Sequence, residues 1–251
     1  MLDWLGQPVG ASSHAAEVDR IMALVHWLML VLFVGWGSFF VYVLVRFRKG
    51  ANPVASYEGA KGKAAKSVEL AVVVAEMVLL FGYAIPGWSQ RVAAFPSESD
   101  SSAVVVHVVA QQFEWHIHYP GPDKVFGRRD IKLMSADNAL GLDRKDPAAK
   151  DDITTINQIT LPVDRPVLIK LSSKDVIHSF GLGAMRVKQD AVPGLDIPIW
   201  FIPNRIGDYE VACSQLCGLG HFRMRAFVNI KSEADYQNFL AEEAKALAEL
   251  Q

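Results

Sequence analysis

The sequence predicts an α+β membrane protein: a two-helix transmembrane hairpin, then a β-sandwich or barrel, then a C-terminal helix. Three observations predict it. Ile21–Val45 runs for 25 residues without a charged side chain. Leu70–Trp88 is a second apolar run, broken only by Glu76. From about Val92 onward the chain changes to short β-branched runs between Gly, Pro and Asp turns, the pattern of a half-buried sheet.

Length and charge justify the hairpin. At about 1.5 Å per residue, the first run is long enough to cross a hydrocarbon core of roughly 30 Å. It is too long, starts too late and lacks the preceding basic stretch of a cleaved secretion signal. His26, Trp27, Trp36 and Tyr42 suit the ends and packing faces of such a helix. Pro86-Gly87 is expected to end the second helix. The connecting segment, residues 46–66, carries Arg46, Arg48, Lys49, Lys61, Lys63 and Lys66 against the single acid Glu58, whereas the outer flanks carry only the bases Arg20 and Arg91. The positive-inside rule puts that segment in the cytoplasm and both termini outside. The expected placement is therefore two-pass, in a cell inner (plasma) membrane, with the second domain in the periplasm. The domains read as 1–20, an outer N-terminal segment; 21–91, the hairpin; and 92–251, the outer domain.

Within the outer domain, strands are expected at Val104–Ala110, Phe113–His118, Gln158–Leu161, Val167–Leu171, Ile197–Ile202, Asp208–Ala212 and Ala226–Ile230, antiparallel by their spacing. Residues 121–152 hold seven Asp against seven Lys or Arg without an apolar period and read as a long insertion loop. Ser232, with Asp235 three residues on, is a plausible N-cap for a helix to Leu250. Phe239, Leu240 and Leu247 give that helix an apolar stripe.

Composition excludes several classes. Hydrophobic residues make up 51% and charged residues 21% of 251, which excludes a disordered chain. The net charge of −2 gives no general attraction to nucleic acid. The outer domain is mildly acidic, with 21 acids against 17 bases; that favours a basic protein partner or is an ordinary solvated surface. The two cysteines, Cys213 and Cys217, are too few for a disulfide scaffold. A bridge between them would close a very small loop, so flanking histidines make metal binding the stronger reading.

The chemistry is concentrated in Cys213-Ser-Gln-Leu-Cys217-Gly-Leu-Gly-His221-Phe-Arg-Met224. Two thiols, an imidazole and a thioether fall within twelve residues. Soft sulfur with imidazole selects copper over magnesium or calcium. Zinc is the rival, since two Cys and two His form a common zinc set, but zinc does not use the thioether. His178, at a strand end upstream, is the further histidine such a site requires.

These residues resemble the dinuclear copper (CuA) site of the cytochrome c oxidase subunit 2 family. The family pattern is an upstream His followed by Cys-Ser-x-x-Cys-Gly-x-x-His-x-x-Met, and every ligand position is filled here. Lys188-Gln-Asp190-Ala-Val-Pro193-Gly194 is similar to the family's Lys-x-Asp-Ala-x-Pro-Gly loop, and Gln112-Phe-Glu-Trp115 through Tyr119 to its aromatic strand. The resemblance implies a cupredoxin-like Greek-key outer domain. It also implies that Cys213 and Cys217 bridge two copper ions, with His178 and Met224 completing one and His221 and the Gln215 carbonyl the other. Electrons would come from cytochrome c, or a cytochrome-bearing neighbouring complex. They would pass to haem in subunit 1, where haem and CuB reduce oxygen to water with proton translocation. The expected partners are subunit 1, other oxidase subunits and membrane lipid.

Three departures matter. Gln215 stands where the family often has a Glu that helps hold an interfacial magnesium, which makes that magnesium doubtful. Phe113 stands where a Trp is implicated in receiving electrons; Trp115, two residues on and on the same strand face, is expected to substitute unless Phe113 itself serves. Glu69 occupies the place of an acid at the mouth of a proton channel, or is an interfacial residue, and Glu76 lies deeper and must face protein or water. Arg223 and Arg225 could hold haem propionates or pair on the surface, and His107, His116 and His118 are assigned no metal. Two alternatives are a copper subunit of a nitric oxide reductase and a membrane-anchored copper-binding module. The intact ligands argue against a quinol oxidase subunit. No Cys-x-x-Cys-His occurs, so the chain carries no fused cytochrome c motif.

Overall fold

The computed structural model describes residues 6–55, 57, 58, 62–135 and 138–250; Lys61 lies outside them. The chain forms two compact units, one over Glu17–Ala94 and one combining Gly6–Ala16 with Phe95–Gln251.

The first unit holds two long helices, Ala15–Arg46 and Lys63–Ala93, of 32 and 31 residues. Both are apolar enough to cross a membrane, and their apolar windows are unburied in the chain alone. The second helix does not stop at Pro86-Gly87 as the sequence suggests. A π turn at Leu80–Ala84 interrupts the regular ladder, and Pro86 falls in the first turn of the α-helical stretch that follows it. A proline is tolerated there because its missing N–H is not required. Gly87 is the close-approach point: a Cβ there would sit 3.4 Å from Glu17 Oε1 and 3.6 Å from Ile21 Cδ1.

The second unit is a sandwich of two five-stranded sheets, ordered β3-β2-β1-β5-β8 and β4-β10-β9-β6-β7. The strands are β1 Val104–Gln111, β2 Glu114–Tyr119, β3 Ile153–Ile156, β4 Gln158–Pro162, β5 Val167–Ser173, β6 His178–Leu182, β7 Val187–Ala191, β8 Ile197–Phe201, β9 Gly207–Cys213 and β10 Arg225–Lys231. The sheets are mixed rather than purely antiparallel, since β1 runs parallel to β5 and β10 parallel to β4. Val106, Val108, Trp115, Ile117, Ile169, Leu171, Phe180, Val211 and Val228 are fully buried between them. This apolar interior is the main stabilising term. The C-terminal helix, Glu233–Leu250, is capped as expected: the Ser232 hydroxyl accepts from the Asp235 amide at 3.1 Å.

Gly6–Ala16 docks along this domain. Ala11 is fully buried, its amide donates to the Ala184 carbonyl at 2.7 Å, and its carbonyl accepts from the Asn204 amide at 3.0 Å. The Ser13 amide donates to the Ile202 carbonyl at 2.9 Å. The insertion is also organised rather than loose. It contains short 3₁₀ turns at Ile131–Leu133 and Pro147–Lys150, and Leu140, Leu142 and Ala149 form a small core with Val109. Asp152 anchors its end, taking a 2.8 Å bond from the Gly127 amide and pairing with His118 at 2.7 Å, with both of those side chains fully buried. Phe126 stacks on His107 at 3.9 Å between centroids.

Candidate metal centre

The register of two strands assembles the site. β6 pairs antiparallel with β9, placing Phe180 opposite Cys213. That brings His178, at the start of β6, to the end of β9 where Cys213 lies. The hairpin loop closes when the Cys213 amide donates to the Met224 carbonyl at 3.0 Å, and the Ser214 amide ties it to Ser179 at 2.9 Å. A 3₁₀ turn over His221–Arg223 then presents His221 and Met224.

All six sequence-predicted positions converge. The two free thiols lie 3.8 Å apart, far beyond the 2.05 Å of a disulfide. Sulfurs that share one metal at about 2.3 Å can be no more than about 4.6 Å apart, so this spacing fits a shared ion. Cys213 Sγ is 4.0 Å from His178 Nδ1 and 3.2 Å from the Gln215 carbonyl oxygen. Cys217 Sγ is 3.6 Å from His221 Nδ1 and 3.7 Å from Met224 Sδ. The ligand atoms of His178, Cys213 and Cys217 all lie within 4.8 Å of one another, and all three residues are buried. Met224 is buried as well. Such a set of two thiols, two imidazoles, a thioether and a carbonyl suits copper.

The thiols are electrostatically unequal. Burial opposes ionisation of Cys213, but hydrogen bonds from His178, the Ser179 amide and the Gln215 amide outweigh it and bring its pKa down to about 6. Burial and the neighbouring Cys213 charge push Cys217 up to about 11. Burial works against the His178 imidazolium, yet Cys213 and Asp175 together raise its pKa. Both thiols must be deprotonated to bind metal, so binding releases protons.

Two residues around the site were not singled out by sequence reasoning. Asp175 Oδ1 holds His178 Nε2 at 2.9 Å, and its Oδ2 accepts the Gln112 amide at 2.8 Å. Gln112 Nε2 in turn donates to the Cys217 carbonyl at 2.6 Å. The available signal was position: Asp175 lies three residues before His178, and Gln112 immediately before Phe113. Phe113 covers the loop closely, since a Cβ on Gly220 would lie 2.4 Å from its ring and one on Gly218 3.2 Å. Glycine is therefore required beneath this aromatic.

Trp115 is a correction. It is fully buried, 5.6 Å from Phe180 and 6.2 Å from His178 between ring centroids, and offers nothing to a docking partner. The strand-parity argument fails because β2 begins only at Glu114. Around the loop, Leu216, Leu219 and Phe222 are 77%, 96% and 87% exposed, an apolar rim. Arg225 lies 3.8 Å from Glu210 and over the Phe227 ring, whereas Arg223 is exposed. Glu69 and Glu76 are exposed on the second membrane helix, seven residues apart and hence on one face.

A sandwich whose β9–β10 loop gathers Cys213, Cys217, His221 and Met224, preceded by two membrane-length helices, has the donor set of a membrane-anchored copper–thiolate protein. The family profile described as cytochrome c oxidase subunit II, periplasmic domain, matches residues 104–231. The chain belongs to the cytochrome c oxidase subunit II family, and so to an oxidoreductase complex of the respiratory chain whose catalysis lies in a partner subunit. It is 33% identical to the alternative cytochrome c oxidase subunit 2 of Bradyrhizobium diazoefficiens, over 98% of this chain and 86% of that one. It is 27% identical to cytochrome c oxidase subunit 2 of Cereibacter sphaeroides, over 95% and 82%. A solved periplasmic domain of subunit II from Bradyrhizobium japonicum overlaps 57% of this chain and 95% of its own, at 24% identity and a TM-score of 0.43.

Proposed function

We propose that this chain is the electron-accepting subunit of a terminal respiratory oxidase. The observation that carries the proposal is the pair of free thiols 3.8 Å apart with an imidazole nitrogen beside each sulfur and a thioether at Cys217. Cys213, Cys217, His178, His221, Met224 and the Gln215 carbonyl would together hold a pair of coppers. The bound pair supplies one-electron redox chemistry without bond making. The chain's own contribution is rigidity: the β6·β9 register, the glycine-rich loop under Phe113 and the Asp175 contact fix the donors, so little has to move when charge changes. The partners this reading implies are oxidase subunit 1 and a cytochrome c or cytochrome-bearing complex. The apolar rim and Phe113 offer the donor a surface beside the metal, and the mild acidity of the outer domain favours a basic one.

The basic residues between the helices favour a cytoplasmic loop and a periplasmic copper domain in the inner membrane. Glu69 would then lie near the inner side of the second helix, where a carboxylate can collect protons for the partner subunit. Glu76, deeper, needs a protein or water partner. Gln215 offers a neutral amide oxygen, a weaker partner for magnesium than a carboxylate.

Purification of the complex containing the full chain tests the reading. It should hold two coppers per chain in this domain, with a spin signal of one electron shared by two copper nuclei. One zinc per chain under copper-replete conditions would refute it.

A further inference from the structure

We infer that Asp175 is a positioning residue that locks the ligand face of His178 and the Gln112–Phe113 turn into one rigid unit. The inference rests on the reading of His178 as a copper ligand. Its two carboxylate oxygens do different work. Oδ1 faces His178 Nε2 at 2.9 Å, and Oδ2 receives the Gln112 backbone N–H at 2.8 Å. The first contact keeps the imidazole proton on Nε2 and leaves the Nδ1 lone pair aimed at the thiols, 4.0 Å from Cys213 Sγ. The second contact pins the turn that carries Phe113. From the same turn, the Gln112 side-chain amide reaches the Cys217 carbonyl at 2.6 Å, and the Phe113 ring lies against Gly218 and Gly220. A carboxylate on the β5–β6 connection therefore braces both halves of the site, the His178 side directly and the Cys217 loop through Gln112. The Asp175 side chain is only 28% exposed, and His178 is fully buried, so water cannot readily replace either bond.

An aspartate is suited to the position because it alone offers two charged acceptors on a short stem. Asparagine keeps one acceptor oxygen and can serve only one of the two donors. Alanine serves neither. The brace would hold the surface aromatic and the metal ligand at a fixed separation, which favours electron transfer between a docked donor and the site.

The test uses the full chain in detergent, first reduced and metal-free, then copper-loaded. In the metal-free wild type, nitrogen-15 NMR should show neutral His178 protonated at Nε2, and the Gln112 amide should be protected from hydrogen exchange. Asp175→Ala should turn His178 into a tautomer mixture and speed Gln112 exchange by about tenfold, with the amides of β9 and β10 unchanged. Asp175→Asn should leave one of these two signals near wild type and shift the other. In copper-loaded chains, both variants should shift the reduction potential while retaining two coppers. If Asp175→Ala leaves the His178 tautomer and Gln112 exchange as in the wild type, or if Asp175→Asn moves neither, the inference is overturned. Should the metal-free signals move as expected while no variant and no wild-type chain takes up copper, the copper reading fails and the positioning role stands.

Discussion

Cys217 and Met224 lie 3.7 Å apart at their sulfurs, yet they should respond differently to substitution. In the proposed centre both ions depend on the Cys217 thiolate, so Cys217→Ser should abolish it outright. The thioether is a weak ligand, so Met224→Leu, which keeps the buried volume, should retain most of the copper and change its potential. Copper analysis and redox titration of the two variants check the ranking; equal, total copper loss would contradict it. A second residue carries a pH effect. Burial, reinforced by Arg129, His118 and Lys170, lowers the pKa of His107 from 6.5 to about 2. Above pH 6.5 His107 is neutral in both states and contributes nothing; below it the unfolded chain takes a proton and the folded chain does not, which favours unfolding. Stability therefore declines by about 1.4 kcal/mol per pH unit as the pH falls from 6.5 toward about 2. His107→Gln should remove this term and leave the variant about 2 kcal/mol less acid-sensitive than wild type between pH 7 and pH 5. Denaturant titrations at the two pH values measure the difference. The candidate ligands were legible because five of the six lie in one twelve-residue motif and only His178 comes from afar. Asp175 and Gln112 were not, because their roles arise from where the Gln112–Phe113 turn passes in space.

At the scale of elements, Gly6–Ala16 is the segment whose role is most open to test. It makes three backbone hydrogen bonds to the outer domain and buries Ala11 completely. A soluble piece starting at Val92 omits it. At about 1 kcal/mol per net hydrogen bond, that piece should be roughly 3 kcal/mol less stable than one with Gly6–Ala16 restored as a fused segment. Chemical denaturation of both pieces gives the answer, and equal midpoints would reduce the segment to a passive leader. The long apolar runs and the β-branched strands were readable because their periodicity is local. β3, β6 and β7 were not: Ile153–Ile156 is short and Thr-rich, His178–Leu182 contains Ser and Gly, and Val187–Ala191 is half polar. Their strand character comes from neighbours distant in sequence. The parallel β1·β5 and β10·β4 pairs are likewise non-local, which is why turn spacing suggested antiparallel pairing throughout. Pro86 misled for a related reason, since the π turn before it absorbs the break.

For the whole molecule, the proposed function places two jobs on two sides of a membrane. The candidate copper ligands belong to the outer domain, and Glu69 to the second membrane helix near the basic loop. Glu69→Gln should therefore slow steady-state oxygen consumption severalfold while reduction of the copper pair keeps its wild-type rate. Full turnover with normal proton uptake would make Glu69 an interfacial anchor. In the proposed function electrons reach the oxidase through the loop of Cys213–Met224. The most direct measurement is rapid anaerobic mixing of the oxidised complex with reduced cytochrome c, followed at the separate absorption bands of copper and haem. The copper pair should be reduced first with haem following from it, and Cys217→Ser should remove both fast phases. Haem reduction at an undiminished rate in Cys217→Ser, with no copper phase, would contradict it.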